Sequence, residues 1–352
     1  MAKKLFDFCI GNPPYNDDFD KSGDNGNFGS PVYHVFMDAA DEVADRVELI
    51  HPARFLFNAG STPKAWNEKM LNDPHFRVLR YEPNSGKIFP NTDIMGGITI
   101  SYRDETHNYG PIGVFTAFAE LNSIRNKVRK EDDTSSLSDI IYTQCRYNLE
   151  TLYADNPDIR ACIGSNGKDK RFRNNAFAKV PVFTENSQQD DDIPVFGILK
   201  GKRVYRYIPT KYVDKNHDNL HRWKVLVPRA NGSGAIGEVE MTPLIGEPVL
   251  GFPLLGYTQS FIGIGSFDTE GEAKALLKYV KTKFARVMLG ILKVTQDNDR
   301  EMWRQVPLQD FTNNSDIDWS KSVHEIDLQL YRKYGLSVEE INFIETHVKE
   351  MI

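Results

Sequence analysis

Apolar and polar positions follow two periodicities over the first hundred residues. An apolar run at 5–10 stops at Gly11 and an Asn-Pro-Pro turn, which predicts a buried strand with an abrupt end. Ser30-Pro31 predicts a helix start, with Ser as N-cap and Pro at the first helical position. The residues at helical spacing on one face of that helix are Val32, Val35, Phe36, Ala39 and Val43.

The pattern then predicts a strand at 47–50, a helix from Thr62-Pro63, and strands at 76–81 and 94–102. Strand, helix, strand, helix, strand, strand is the order found in half of a doubly wound α/β sheet. Strands buried on both faces need helices on both faces, and a half-sheet cannot supply them all. We therefore expect residues 1–108 to form a partial Rossmann-like α/β domain.

After about residue 108 the pattern changes, so we expect a second, mixed α+β domain at 109–352. A polar run at 132–138 is typical of a linker, and Asn231-Gly232-Ser233-Gly234 is typical of a turn. Capping boxes at Thr269 and Ser337 predict a long helix to about residue 295 and a last helix after Gly335. The short β-like runs lie at 204–208, 223–227, 248–251 and 261–264.

Charge and cysteine content bear on the possible partners of the protein and on its cellular location. The net charge is −6, but residues 198–231 carry nine Lys and Arg against two Asp. A local basic patch of this kind is compatible with DNA binding or with an ordinary solvated surface. Three widely spaced cysteines indicate neither a disulfide framework nor a zinc site. No apolar run approaches the roughly 18 residues of a membrane span, and no signal peptide is evident, so we expect a cytoplasmic protein without a membrane partner.

The segment with the clearest chemistry is Asn12-Pro13-Pro14-Tyr15, at the carboxyl end of the first predicted strand. Open α/β sheets bind their ligands at that end. Average composition would produce Asn-Pro-Pro-aromatic at roughly one position in 10⁵. The structural alternative is a rigid turn, because Asn-Pro and Pro-Pro both stiffen the chain.

This segment resembles the catalytic motif of methyltransferases that use S-adenosyl-L-methionine, especially the adenine-specific (N6) DNA methyltransferases of type II restriction–modification systems. The resemblance implies that the Asn12 side-chain oxygen and the Pro13 carbonyl accept the two N6 hydrogens, and that Tyr15 stacks on the flipped adenine. Segments 30–36, 48–55 and 87–94 also resemble that family.

Two residues in those segments, Phe89 and His51, could have either a functional or a structural role. The family places an aromatic against the target base at the position of Phe89; a core aromatic is an equally good reading of that residue. For His51, a hydrogen-bonded structural histidine is the favoured interpretation.

Segments 261–269, 278–296 and 327–335 resemble the target-recognition part of those enzymes, which implies that residues 109–352 read double-stranded DNA. Cations interleaved with aromatic and amide residues are the candidate contacts. Ordinary surface strands with solvated charges are the alternative. The candidate residues are Arg171, Arg173, Lys202, Arg203, Arg206 and Lys224.

One feature departs from the family. Members with this order of domains carry a glycine-rich cofactor loop before the catalytic motif, and only eleven residues precede Asn12. Gly263-Ile264-Gly265 is a weak substitute, because a lone Gly-x-Gly lacks the further strands and the acidic ribose ligand of a nucleotide fold. We therefore expect an incomplete S-adenosyl-L-methionine pocket, with the cofactor-binding half on a second polypeptide or lost.

The expected fold class is thus α/β, a partial Rossmann-like methyltransferase sheet followed by a mixed α+β target-recognition domain. The leading functional hypothesis is an adenine-N6 DNA methyltransferase component. The alternative is a catalytically incomplete methylase-like protein for DNA binding or specificity. A third class methylates glutamine in proteins or bases in RNA, but its members tend to end soon after the last sheet strands.

Overall fold

The computed structural model describes residues 4–17, 30–58, 61–92, 94, 96–129, 135–230, 236, 243–293 and 297–351. The chain forms two compact units, Met1–Asn122 (unit 1) and Ser123–Ile352 (unit 2). Each unit is described by itself below.

Unit 1 contains one four-stranded sheet, and the predicted order of its strands and helices is confirmed. Its elements are β1 (Phe6–Gly11), α1 (Tyr33–Val43), β2 (Ala44–Pro52), α2 (Lys64–Asn72), β3 (Phe76–Glu82), β4 (Ile98–Asp104) and, across the boundary between the units, α3 (Ala119–Val128). The strand order is β1-β2-β4-β3. β1 and β2 are parallel, whereas β4 is antiparallel to both of its neighbours, so β1, β2 and β3 run in the same direction.

The core of unit 1 lies between the sheet and the two helices α1 and α2. Tyr33 and Met37 of α1 and Trp66 and Met70 of α2 are buried in one cluster with the strand residues. The rings of Tyr33 and Trp66 meet edge to face, with centroids 6.4 Å apart. Both helices therefore cover the same face of the sheet.

The predicted start of α1 is wrong. The segment that contains Ser30 and Pro31 is extended rather than helical, because it pairs with the chain that leaves β1. The backbone N–H of Val32 donates to the Tyr15 carbonyl (3.0 Å), and that of Asp17 donates to the Ser30 carbonyl (2.8 Å). The helix begins only at Tyr33, without a side-chain cap.

The core of unit 1 packs against a different face of α1 from the one that carries Val35 and Phe36. Tyr33, Met37 and Ala40 are buried, while Val35 and Phe36 are exposed. α1 therefore has apolar residues on two sides, and unit 1 covers only one of them. The sequence pattern could not distinguish the two sides, because both recur at helical spacing.

β1 was predicted to be buried, and this is also wrong. Phe6, Phe8 and Ile10 are 59%, 56% and 76% exposed. The Arg46 guanidinium lies 5.1 Å from the Phe8 ring centroid, on the face opposite the core, whereas Cys9 packs against the core. Within the described part of the chain, β1 pairs only with β2. Among the described residues, nothing pairs with the outer edge of this strand, and one of its faces is apolar and exposed.

Unit 2 contains two further sheets with helices around them. Its elements are β5 (Ile141–Tyr142), α4 (Leu149–Asp155), the single turn α5 (Gly164–Gly167), α6 (Ala176–Lys179), β6 (Asp192–Leu199), β7 (Lys202–Pro209), β8 (Trp223–Pro228), β9 (Val249–Gly251), β10 (Gly256–Tyr257), β11 (Phe261–Phe267), α7 (Glu270–Lys281), α8 (Lys283–Gly290), α9 (Val323–Lys333) and α10 (Val338–His347). The sheet orders are β10-β6-β7 and β5-β11-β8-β9.

Four of these strands, β7, β8, β9 and β11, match the predicted runs, and β5, β6 and β10 were not predicted. The capping boxes at Thr269 and Ser337 are confirmed. The single long helix is wrong, because α7 ends at Lys281 and the Thr282 side chain caps α8 by accepting from the Ala285 N–H.

Two of the other predictions for this region fall partly or wholly outside the described residues. Ser136 and Ser138 of the expected linker are buried rather than solvated, while 130–134 lie outside the described residues. The expected turn at 231–234 also lies outside them.

Candidate functional site

The Asn12–Tyr15 motif begins one residue after β1 ends. Asn12 is exposed and Pro13 is partly buried. The chain is then held by the hydrogen bond between the Tyr15 carbonyl and the Val32 N–H. Among the described residues, none forms a hydrogen bond with the Asn12 side chain. Its amide is therefore available to a ligand at the carboxyl end of the strand.

Tyr15 presents a neutral aromatic side chain beside Asn12. Its hydroxyl is buried and has no hydrogen-bond partner in the part of the chain that the structure describes. Burial raises the pKa of Tyr15 to about 12, so the phenol stays protonated at neutral pH.

Phe89 lies in a hydrogen-bonded loop between β3 and β4. The Ser85 hydroxyl donates to the Thr92 carbonyl (3.1 Å) and accepts from the Ile94 N–H (2.8 Å). The Thr92 hydroxyl donates to the Phe89 carbonyl (2.7 Å). Phe89 itself is partly buried, so the loop holds its backbone while part of the ring stays accessible.

His51 is a structural residue, as favoured from the sequence. It is fully buried, and its ring is stacked on Tyr33 with centroids 5.7 Å apart. Its Nδ1 lies 3.1 Å from the Pro52 carbonyl and its Nε2 lies 2.7 Å from the Ser101 hydroxyl. Burial lowers the pKa of His51 to about 4, so the ring is neutral.

In unit 2, the structure brings Arg171 and Arg173 together on one carboxylate. Arg171 Nε and Nη2 donate to the two oxygens of Asp169 at 2.8 Å each, and Arg173 Nη1 donates to Oδ2 at 3.0 Å. Asp169 is buried, and the Arg171 hydrogen bond is the largest cause that lowers the pKa of Asp169 to about 2. Sequence reasoning did not single out Asp169; the available signal was an acidic residue two and four positions before two arginines.

The cations of β7 divide into two environments. Lys200 and Gly201 form the turn of the β6–β7 hairpin, both with positive φ, as a type I′ hairpin turn requires. Lys202 and Arg203 follow it and are exposed at the hairpin tip. Arg206 is largely buried and donates to Glu185 Oε1 at 2.9 Å.

Unit 1 is similar to a known family of proteins. Residues 1–89 match the family model described as Eco57I restriction-modification methylase. This similarity supports a methylase-like role. No curated protein matches the chain.

A solved structure, that of the type IIG restriction endonuclease BpuSI, is similar over 90% of this chain at 10% identity and a TM-score of 0.33. This chain spans 48% of the length of that protein.

The prediction that Lys224 contacts DNA is corrected by its surroundings. Lys224 is fully buried, and its ammonium donates to the carbonyls of Asn219 (2.8 Å), Leu220 (3.4 Å), Arg222 (2.9 Å) and Phe252 (3.2 Å). Burial lowers the pKa of Lys224 to about 8. An ammonium engaged in this way cannot reach a phosphate at the surface.

Gly263 and Gly265 lie within β11 rather than in a loop before a helix. A side chain at Gly263 would come within 2.4 Å of the Tyr257 hydroxyl, and one at Gly265 within 2.2 Å of the Phe267 ring. These glycines make room for neighbouring aromatic residues, which explains the Gly-x-Gly spacing without a nucleotide.

The described helices include none with the length and apolar character needed to cross a membrane. Cys9, Cys145 and Cys162 are free thiols. Within the same described residues, no group of three or more His, Cys, Asp or Glu side chains could hold a metal ion.

Proposed function

We propose that this chain is the catalytic and DNA-recognition component of an adenine-N6 DNA methyltransferase of a restriction–modification system, acting in the cytoplasm. The observation that carries the proposal is the position of Asn12, exposed beyond the carboxyl end of β1 with an amide that no described residue engages. The match of residues 1–89 to a restriction-modification methylase model supports it.

The chemistry follows from the residue types. The lone pair of the adenine N6 is delocalised into the ring, so the amine is a poor nucleophile. The Asn12 oxygen and the Pro13 carbonyl would accept its two hydrogens and favour a pyramidal nitrogen. Proline suits its position because it has no N–H and a restricted φ. Neutral Tyr15 would stack on the flipped base, which is worth about 1–3 kcal/mol, and Phe89 would lie against it.

S-adenosyl-L-methionine, when bound, supplies the electrophilic methyl group. The described residues around Asn12 fit the amine side of the reaction. Ligands of open α/β sheets bind beyond the carboxyl ends of strands, at a point where the strand order reverses. A strand added to the open edge of β1 would create such a crevice beside Asn12. In this proposal the cofactor pocket is incomplete in this chain.

We propose that a second polypeptide supplies the cofactor-binding half. Phe6, Phe8 and Ile10 on one side of β1, and Val35 and Phe36 on α1, are large apolar residues that unit 1 leaves exposed. An open strand edge flanked by apolar surface is a site for strand addition and helix packing. A partner with a parallel strand and covering helices fits this surface.

Residues of unit 2 would recognise double-stranded DNA. Arg171, Arg173, Lys202 and Arg203 are exposed cations that could hold phosphates or read base edges. Arg206 would contribute only after releasing Glu185, because its guanidinium is paired there.

The test is transfer of a labelled methyl group from S-adenosyl-L-methionine to duplex DNA. We expect little transfer by the purified chain and substantial transfer with the polypeptide that carries the cofactor-binding half. Asn12→Ala in the pair is expected to reduce the rate on the order of 10²–10³-fold, as for loss of one preorganised hydrogen-bonding group. Asn72→Ala, an exposed asparagine at the end of α2, is the matched control and should have no effect.

Robust transfer by the chain alone would contradict the need for a partner. DNA binding without methyl transfer under any condition would favour the second candidate, a methylase-like protein for DNA binding or specificity. The open edge of β1 favours this second candidate, because a half-sheet without its partner lacks a complete pocket for the methyl donor.

A further inference from the structure

A cavity of about 490 Å³ in unit 2 combines apolar walls with organised cations. Its charged lining residues are Arg171, Arg173 and Lys179, opposed by Asp169. The cations are exposed, whereas the Asp169 carboxylate is buried beneath the two arginines. A ligand that enters the cavity therefore meets a net positive surface.

Asp169 uses both of its oxygens to hold the two guanidinium groups. Arg171 is bound through Nε and one N–H of Nη2, so its Nη1 group and the second N–H of Nη2 are left to donate outward. Arg173 is bound through Nη1 alone, which leaves the Nε–Nη2 edge available. Both arginines are thus oriented before any ligand arrives, and each retains N–H donors without an acceptor among the described residues.

The backbone near Arg173 leaves room for its guanidinium. A side chain at Gly164 would come within 3.3 Å of Arg173 Nη1. Ser165, Asn166 and Gly167 follow in the left-handed region, with φ of 53°, 53° and 80°, and the Asp169 N–H donates to the Gly164 carbonyl (3.1 Å). Left-handed conformations are costly for the two non-glycine residues and often occur at ligand sites.

Tyr147 also lines this cavity, and its hydroxyl is buried. The Tyr147 side chain is 2% exposed and lines the wall. Its hydroxyl has no hydrogen-bond partner in the described structure. Packing alone does not account for a buried, unpaired hydroxyl at this position, since buried polar groups are usually satisfied.

We propose that this cavity binds a phosphate group of the DNA backbone, with Arg171 and Arg173 as its ligands and Asp169 as their positioning residue. The proposal rests on the proposed function, because it takes DNA as the partner. A phosphate has acceptors only, which matches the free N–H groups of both arginines.

The test is the salt dependence of binding of the full chain to a short DNA duplex of mixed sequence. Each phosphate contact contributes about 0.9 to the slope of log K against log salt concentration. Because both arginines hold one phosphate, the double variant Arg171→Ala/Arg173→Ala should lower the slope by about 0.9, and each single variant should lower it by no more than that. Arg304→Ala is the matched control, because Arg304 is exposed, is paired with Glu301 and lies away from the cavity; the slope should stay unchanged.

Asp169→Asn separates an organised site from simple charge attraction. Removal of a negative charge would tighten binding if net charge alone mattered. We expect weaker binding instead, with a slope reduced by at most about 0.9, because the guanidinium groups lose their common anchor. If this variant does not fold, Arg171→Lys keeps the charge without the two-bond pairing, and we expect a lower affinity with the slope retained.

The possible failures are distinguishable. Absence of DNA binding by the wild-type chain would overturn both this proposal and the proposed function. DNA binding in which the Arg171 and Arg173 variants behave like the Arg304 variant would overturn only the phosphate site. A titration with inorganic phosphate completes the test: binding that is lost in Arg173→Ala while DNA binding is unchanged would assign the cavity to a free anion and overturn the DNA assignment.

Discussion

β1 in unit 1 and β11 in unit 2 are both mainly apolar strands, but their environments are opposite. Each begins with Phe and is mainly apolar, Phe6–Gly11 in β1 and Phe261–Phe267 in β11. β11 lies between β5 and β8, and its first five residues are buried. β1 lies at the edge of its sheet, and four of its six residues are exposed.

The difference shows what an apolar strand predicts. Its composition indicates that the strand is buried in the assembly in which it works, whether or not the same chain supplies the cover. In β11 the cover comes from unit 2 itself. For β1 we propose that it comes from a partner.

The largest loss of stability is expected for a substitution in β11. Phe261 is 1% exposed and packs against Phe196 with ring centroids 4.7 Å apart. Phe261→Ser should lower the free energy of unfolding by about 3–5 kcal/mol, because it leaves a cavity in the core. Urea denaturation measures the change. A loss below about 1 kcal/mol would contradict the burial that distinguishes β11 from β1.

The stability of unit 1 should depend on pH, because His51 is buried in its core. The pKa of His51 is lowered to about 4 in the fold, against an ordinary value of 6.5. Between these values the unfolded chain binds a proton that the fold does not, so stability is present above pH 6.5 and is lost as the pH falls toward 4. The expected loss is about 3 kcal/mol.

The measurement is urea denaturation at pH 7 and pH 4 for the wild type and His51→Gln. The variant should lose less stability over this range, because its side chain does not titrate. An equal loss in both proteins would mean that the ring is not held neutral by burial.

The smallest loss of stability is expected for a substitution in β1. Phe6→Ser in the isolated chain should change the free energy of unfolding by less than about 1 kcal/mol, because the ring is already exposed. With the proposed partner present, the same variant should weaken assembly and reduce methyl transfer, measured at limiting partner concentration. Unchanged transfer at all concentrations would mean that this face of β1 is not the docking surface.

Much of unit 1 follows from its sequence. The order of its strands and helices was predictable because each element carries its own periodicity and ends at a turn signal. The burial of β1 and the packing face of α1 were not, since both depend on what lies beside them in space. The predicted start of α1 was wrong for a related reason. Ser30-Pro31 has the local sequence of a helix start, but this segment is extended because it pairs with residues 15–17.

For the candidate DNA interface, residue type alone was insufficient. Lys224 and Lys202 are both lysines of the same basic stretch, yet one is buried among carbonyls and the other is exposed at a hairpin tip. The organising role of Asp169 depends on distances between side chains, which spacing along the chain suggests but does not determine.

The buried ammonium of Lys224 also bears on how unit 2 unfolds. Three of its carbonyl partners lie in the segment before β8, and the fourth, at Phe252, lies just after β9. If either segment opens alone, a cation in the interior loses acceptors that water cannot replace at once. Local opening there is therefore costly, and the two segments are expected to exchange their amide hydrogens as one cooperative unit.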